Sequence, residues 1–267
     1  MSDTSNLTIE RIDVFQVDLP YSGGMYQLSG GRTYTTIVRI TTNTGLQGWG
    51  ESTPFGSTWV AAHARGARVE HRASGYIGHS IKLSGDDPTT DAARIAESLA
   101  DRQAGENFIV DANGGLTVEF AMRMLRLLPR GPDFVLEAPC QTWRECVSLR
   151  RRTDIPIIFD ELAMDEISVT QLIADDAGEG IGMKISKTGG LTRCRRQRDL
   201  CLAAGLTLSV QEPTGSDIPF AAIIHMAQMV PERSLRCYWG KVKAPKAPGL
   251  GITPDLKVLG EPVATYT

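Results

Sequence analysis

The sequence predicts an α/β protein, a modified TIM-type (β/α)-barrel joined to a smaller N-terminal α+β domain. Three observations predict it. From Tyr76 onward, short apolar segments alternate with amphipathic ones of helical length. The apolar segments lack polar alternation, which implies burial on both faces, as in a parallel sheet wrapped by helices. No G-x-G-x-x-G follows the first of them, so a series of consecutive β/α units favours a barrel over a doubly wound dinucleotide-binding sheet. "DANGG" also has the wrong spacing for a phosphate-binding P-loop.

The first fifty residues read as β structure. "IERIDVFQVDLP" (9–20) alternates apolar and polar residues, and a glycine-rich loop with Tyr21, Tyr26 and Tyr34 follows. "TTIVRITTN" and "GLQGWGES" are separated by the turn residues Asn43 to Gly45, giving a small antiparallel meander. In the barrel series the predicted strands are Gly78–Leu83, Phe108–Asp111, Phe134–Glu137, Pro156–Asp160, Gly182–Ile185 and Thr207–Val210. Helical patterns lie between them at 89–103, 117–128, 142–152, 165–176 and 190–204, with another at 217–229.

Composition excludes several classes of function. The 267 residues are 42% hydrophobic and 22% charged, which suits a globular chain with a substantial core. Net charge is −3 and the basic residues are scattered, so no nucleic-acid partner is expected. The one dense basic run, "LRRRTD" at 149–154, falls at a predicted helix C-terminus, where cations face the negative end of the dipole. Five cysteines form no C-x-x-C pair and no zinc-type grouping, and their odd number suits a reducing compartment. The start resembles no signal segment and no apolar run is long enough to span a bilayer, so a cytoplasmic location without a membrane partner is expected.

Barrel enzymes place their chemistry at the C-terminal ends of the strands. Those ends carry Lys82, Asp111, Glu137, Asp160 and Lys184, at intervals of 29, 26, 23 and 24 residues, about one β/α unit each. Singly, three of them have a plainer reading, whereas Glu137, just before Ala-Pro, is poorly explained as a cap. Asp111 could cap the next helix, Asp160 with Glu161 could be solvated, and Lys184 with Lys187 could be surface lysines. Five charged tips in succession argue for convergence on one mouth. Three carboxylates on adjacent tips make a hard oxygen site suited to Mg²⁺, and the lack of a histidine there argues against zinc. A lysine beside such a metal is a candidate general base, its pKa lowered toward neutrality by burial and neighbouring cations.

The order Lys82, Asp111, Asn113, Glu137, Asp160, Glu161, Lys184, followed by "KISKTGGLT", resembles the enolase superfamily, in its mandelate racemase/muconate lactonizing branch. The resemblance implies Asp111, Glu137 and Asp160 as Mg²⁺ ligands and Lys82 and Lys184 as opposed bases, a chemistry characteristic of that superfamily. The site is of the two-lysine type, since no His–Asp dyad replaces the second lysine. "GWGESTPFGSTWVAAHARGA", "FVLEAPC", "KISKTGGLTRCRRQRD" and "APGLGITPDLKVLGEPVA" look most like the cis-3-hydroxy-L-proline dehydratases. That implies a Mg²⁺-dependent hydro-lyase of amino-acid catabolism, acting on a small amino-acid substrate. Racemisation or epimerisation of a proline-like or N-acyl amino acid is the alternative with the same two lysines. By the same resemblance Tyr21 and Tyr26 lie on a lid that chooses the substrate, and a homo-oligomer is expected. Glu212, at the end of the next strand, is expected either to meet the substrate's nitrogen or a base lysine or to be a solvated acid before a helix, and Asn113 to contact the substrate or support the site from its rim.

Residues 1–70 with 248–267 are expected to form the capping domain and 71–247 the barrel. Both are shorter than the family pattern. Glu70 runs at once into "HRASGYIGHSIKLS", which reads as the end of the first barrel helix and the second strand, so the barrel is expected to lack its first strand. A second seam lies near "LRCYWGKVKAPKAPGLG" (235–251). A closed sheet that loses a strand exposes edges and core, which raises a third reading, a catalytically impaired paralogue.

Overall fold

The computed structural model describes residues 7–18, 34–52, 77–211, 216–230 and 244–267. They divide into two compact units, one made of 77–211 with 226–230 and the other of the remaining segments. Tyr21, Tyr26, Glu212 and most of both predicted seams lie outside the described residues.

One unit is built on an antiparallel sheet. Strands β1 (Ile9–Asp18), β2 (Tyr34–Thr42) and β3 (Gln47–Ser52) form the meander, and the C-terminal strand β10 (Ala264–Tyr266) pairs with the outer edge of β1. The period of two in β1 sends Asp13, Phe15 and Val17 to the buried face. Phe15 and Val17 pack with Ile37, Ile218 and Leu259, and Trp49 stacks on Phe15 at a centroid distance of 6.0 Å. Asp13 is the polar member of that face. Its carboxylate accepts hydrogen bonds from Arg11 Nε (2.8 Å), Arg39 Nη2 (2.7 Å) and the Thr265 hydroxyl (2.7 Å), so the charge is paired rather than stranded.

The other unit contains six parallel strands in the order β4 (Gly78–Lys82), β5 (Asn107–Asp111), β6 (Val135–Glu137), β7 (Ile157–Phe159), β8 (Gly180–Met183) and β9 (Thr207–Val210). Each strand pairs with the next in sequence, the order a barrel requires and a doubly wound sheet does not show. Helices α1 (Pro88–Leu99), α2 (Val118–Leu127), α3 (Trp143–Arg150) and α4 (Glu166–Asp175) follow the first four strands. A single turn α5 (Ile185–Thr188) and helix α6 (Leu191–Ala203) follow β8, whereas most of α7 (Asp217–Gln228) and all of α8 (Leu256–Leu259) belong to the antiparallel-sheet unit.

The helix starts are written in the sequence. Asp87, Thr117, Thr142 and Asp165 each accept a backbone N–H of the first turn, and Asp165 with Ser168 closes a capping box. Each helix turns one face to the core at three- or four-residue spacing, as with Ile95 on α1, Met124 on α2, Leu149 on α3 and Leu172 on α4, all 0% exposed. Cys194 and Cys201 are buried on α6 as small apolar residues, neither of them in a disulfide. Each large apolar side chain buried this way contributes about 1.5–3 kcal/mol.

The expected strand Gly182–Ile185 is instead Gly180–Met183, and the chain turns into α5 directly after Lys184. Two glycines make a weak strand signal, and no Cβ can be accommodated at Gly180, whose ideal Cβ would lie 2.2 Å from the Thr207 carbonyl oxygen. No helix among the described residues is long and apolar enough to cross a membrane.

Candidate active site

The charged tips named from the sequence come together along one edge of the parallel sheet. Parallel register makes Lys82 the direct neighbour of Asp111, and Asp111 the direct neighbour of Glu137. Asp160 and Lys184 stand one residue beyond β7 and β8. Asp111, Glu137 and Asp160 are all buried, at 3%, 1% and 1% exposure. Carboxylates are almost never so buried without partners.

The partners differ from acid to acid. Lys82 forms an ion pair with Asp111, and Lys184 forms one with Asp160 Oδ2. Lys187 donates to Asp160 Oδ1 at 2.8 Å. Among the described residues Glu137 forms no ion pair of this kind. Among the described residues its hydrogen-bond partner is the Gln211 amide, whose Nε2 lies 2.6 Å from Oε1. Glu137 and Asp160 meet over Gly182, where an added Cβ would lie 2.8 Å from Glu137 Oε1 and 3.2 Å from Asp160 Oδ1. Only glycine leaves room for both carboxylates there.

The electrostatics follow from these pairings. Burial, reinforced by the negative charges of Asp111 and Asp160, pushes Glu137 up to about 8. Burial also opposes ionisation of Asp160, but the ammonium groups of Lys187 and Lys184 overcome it and hold the carboxyl below its ordinary range. For Lys184, burial favours the neutral amine, yet the adjacent Asp160 wins and its pKa is raised. That reverses the expectation that flanking lysines are lowered toward neutrality. Lys187 does move down, because its burial outweighs the pull of Asp160.

A surrounding set of residues fixes the tips. Asn113, named from the sequence as a substrate contact, accepts from Lys82 Nζ at 3.1 Å and donates to Glu161 Oε1 at 2.9 Å, while its backbone N–H bonds Asp111 Oδ1 at 2.8 Å. It holds a left-handed conformation with φ 46°, as does Ala138, next to Glu137, with φ 42°. Such strain at non-glycine residues concentrates at functional sites. Asp91 on α1 binds the backbone N–H groups of Ser84 (3.0 Å) and Gly85 (2.9 Å), pinning the chain that leaves Lys82. A cavity of about 240 Å³ opens beside Asn113, Ala138, Asp160 and Glu161.

Lys187, Gln211 and Asp91 are the residues that sequence reading missed. Lys187 looked like a surface lysine, Gln211 sits beside the more conspicuous Glu212, and Asp91 reads as an ordinary first-turn acid. The nearest signal for Gln211 was its position one residue past a strand end.

Among the described residues, no three His, Cys, Asp or Glu side chains converge closely enough to hold a metal as they stand, since Asp111 and Asp160 are drawn to lysines. The donor chemistry still fits a hard dication. All the candidate ligands are carboxylates on adjacent tips, and their mutual repulsion, evident in the raised Glu137, is what a cation would relieve.

A family model described as enolase C-terminal domain-like matches residues 59–258. The chain belongs to the enolase superfamily. Its parallel sheet is a truncated form of the superfamily barrel, and its antiparallel sheet corresponds to the capping domain. This enolase-superfamily chain is 46% identical to a protein from Aspergillus oryzae assigned to the mandelate racemase/muconate lactonizing enzymes, with a TM-score of 0.86, covering 98% of this chain and 100% of that one. A protein from Roseovarius nubinhibens of the same assignment, complexed with magnesium, is 37% identical at a TM-score of 0.86, covering 97% and 100%. The cis-3-hydroxy-L-proline dehydratase of Roseibium aggregatum is 28% identical, covering 98% of this chain and 100% of the relative. That alignment runs over 369 positions against 267 residues here, so the dehydratase carries internal segments this chain lacks. The chain is an enzyme of the mandelate racemase/muconate lactonizing type.

Proposed function

We propose that this chain is a Mg²⁺-dependent hydro-lyase that removes the α-proton of an amino-acid carboxylate and expels a β-hydroxyl, converting cis-3-hydroxy-L-proline to Δ1-pyrroline-2-carboxylate. The observation that carries the reading is a run of three buried acids on successive strand tips, flanked by Lys82 on one side and Lys184 on the other. The 28% identity to a dehydratase of that substrate supports the choice of reaction.

Asp111, Glu137 and Asp160 would hold the cation. When bound, it supplies Lewis-acid polarisation of the substrate carboxylate, which acidifies the α-carbon. The side chains do the rest. One lysine, as its free amine, takes the α-proton, and the Cα–H electron pair becomes the Cα=Cβ bond. The 3-hydroxyl leaves as water with a proton donated by an ammonium, and the enamine product tautomerises. Gln211 holds Glu137 in place, and Asn113 steadies Lys82. Tyr21 and Tyr26 would close over the substrate, and Glu212 would meet its nitrogen.

The same two lysines suit a racemase or epimerase, in which the second lysine returns a proton to the opposite face. Incubation with cis-3-hydroxy-L-proline and Mg²⁺ in D₂O, followed by NMR, separates these readings. Loss of the hydroxyl is the expected result. Deuterium at Cα with the hydroxyl retained and configuration inverted would move the assignment to epimerisation. No turnover and no exchange would leave the impaired paralogue.

A further inference from the structure

We infer that Lys187 is a positioning residue that presets Asp160 as a ligand, rather than a reserve base beside Lys184; this rests on the metal site proposed above. The β7–β8 ladder ends at the pair Phe159↔Ile181, whereas β8 stays paired with β9 as far as Met183↔Val210. Asp160 and Gly182 sit just past that last β7–β8 pair, where the paired stretch of the two strands ends. Lys187 bridges the gap. Its ammonium donates to the Asp160 carbonyl oxygen at 2.7 Å and to the Gly182 carbonyl oxygen at 2.5 Å, one acceptor from each strand.

The third donor goes to Asp160 Oδ1 at 2.8 Å. An ammonium has three donors and no acceptor, so the group is saturated. Its side chain is only 6% exposed. Lys184 differs, since it pairs with Asp160 Oδ2 and its side chain retains 14% exposure. The two oxygens of Asp160 are thereby sorted. Oδ1 is committed to the Lys187 bridge, and Oδ2 is paired with Lys184.

The local sequence "KISKTGG" produces this division. Lys184 is the N-cap of α5, and the single turn Ile185–Thr188 carries Lys187 back beneath the strand ends. Gly189 then ends the turn in the left-handed region at φ 78°. A spacing of three along one helical turn therefore gives two lysines to one carboxylate, with different tasks.

The test uses the full chain with Lys187→Met, Lys187→Arg and, for contrast, Lys184→Met. Mg²⁺ affinity is measured by calorimetry, folding by thermal melting, and lysine ammonium groups by ¹H–¹⁵N NMR without metal. Partners that orient a ligand typically contribute 10–100-fold to metal affinity, so Lys187→Met is expected to weaken Mg²⁺ binding by at least about tenfold. Lys184→Met should lose turnover without weakening Mg²⁺ binding, because it removes a proposed base and releases Asp160 Oδ2 from a competing ion pair. If Lys187→Met does not fold, Lys187→Arg decides, since its planar fork cannot meet three acceptors converging on one nitrogen and should again weaken binding. In the metal-free wild type, one solvent-protected ammonium signal should vanish in Lys187→Met and shift in Asp160→Asn. Wild-type Mg²⁺ affinity in a folded Lys187 variant overturns the inference. A wild type that binds no Mg²⁺ would sink the metal reading instead, and the ammonium signal would then decide alone whether Lys187 clamps Asp160; an unshifted signal in Asp160→Asn overturns the clamp.

Discussion

Asp13 in the antiparallel sheet and Glu137 at the tip of β6 are both shut away from water, at 0% and 1% exposure, yet they behave in opposite ways. Asp13 is held down to about 2, first by the Thr265 hydroxyl and then by Arg39 and Arg11. Glu137 is driven up to about 8 by its burial and by two like charges. The first carboxylate is surrounded by donors and joins β1, β2 and β10. The second has one amide and a weaker pull from Lys184 to set against burial and two repelling acids. A saturated buried acid is mortar, while an undersupplied one marks a place where the protein waits for a charge from outside.

The largest expected effect would come from Glu137→Gln. It should lower Mg²⁺ affinity by about 100-fold or more and abolish turnover, while raising the melting temperature of the metal-free protein at about pH 9, because it removes a charge the fold resists. Calorimetry paired with melting curves checks both halves, and destabilisation at that pH would break the contrast with Asp13. The pH dependence sharpens it. A raised carboxyl pKa means that the folded state keeps a proton the unfolded chain has lost. Glu137 should therefore make metal-free stability decline as pH rises from 4.5 to about 8 and level off above that. Asp13 runs the other way, its contribution being in place above 3.8 and lost as pH falls toward 2. Denaturant titrations of wild type and Glu137→Gln across this range should differ in slope.

Asp13→Ala should cost about 2 kcal/mol of stability, less than a fully buried pair because Arg11 and Arg39 can still reach water. Its Mg²⁺ affinity should stay at the wild-type value, and a loss there would show that the two acids are not independent. The smallest effect is expected from Ala138→Gly, where relief of the left-handed strain competes with glycine's extra chain entropy. The net is a gain of within about 1 kcal/mol, readable by urea denaturation.

Much of the fold was legible because it is encoded locally. The amphipathic patterns announced the helices, which start within a residue or so of where they were expected, and the unbroken apolar runs announced parallel strands. The tip residues were legible for the same reason, since Lys82, Asp111, Glu137, Asp160 and Lys184 each stand at a predicted boundary. The destination of side chains across strands was not. Nothing in "KISKTGG" says that its second lysine is buried under Gly182, and nothing in "SVQEP" says that Gln211 rather than its acidic neighbour reaches Glu137. The strand containing Gly180 and Gly182 was misplaced because glycine carries no β signal. Both glycines are dictated instead by what crowds them, Thr207 in one case and two carboxylates in the other.

Strand β10 is only three residues long, yet it covers Ile12 to Val14 of β1 and brings the Thr265 hydroxyl to Asp13. Trimming the tail by proteolysis would strip both at once. The uncovered main chain of β1 becomes an adhesive border for another copy, and the carboxylate behind it loses its foremost donor. A nicked molecule would thus be prone to self-association and sensitive to acid while every tip of the parallel sheet stayed intact.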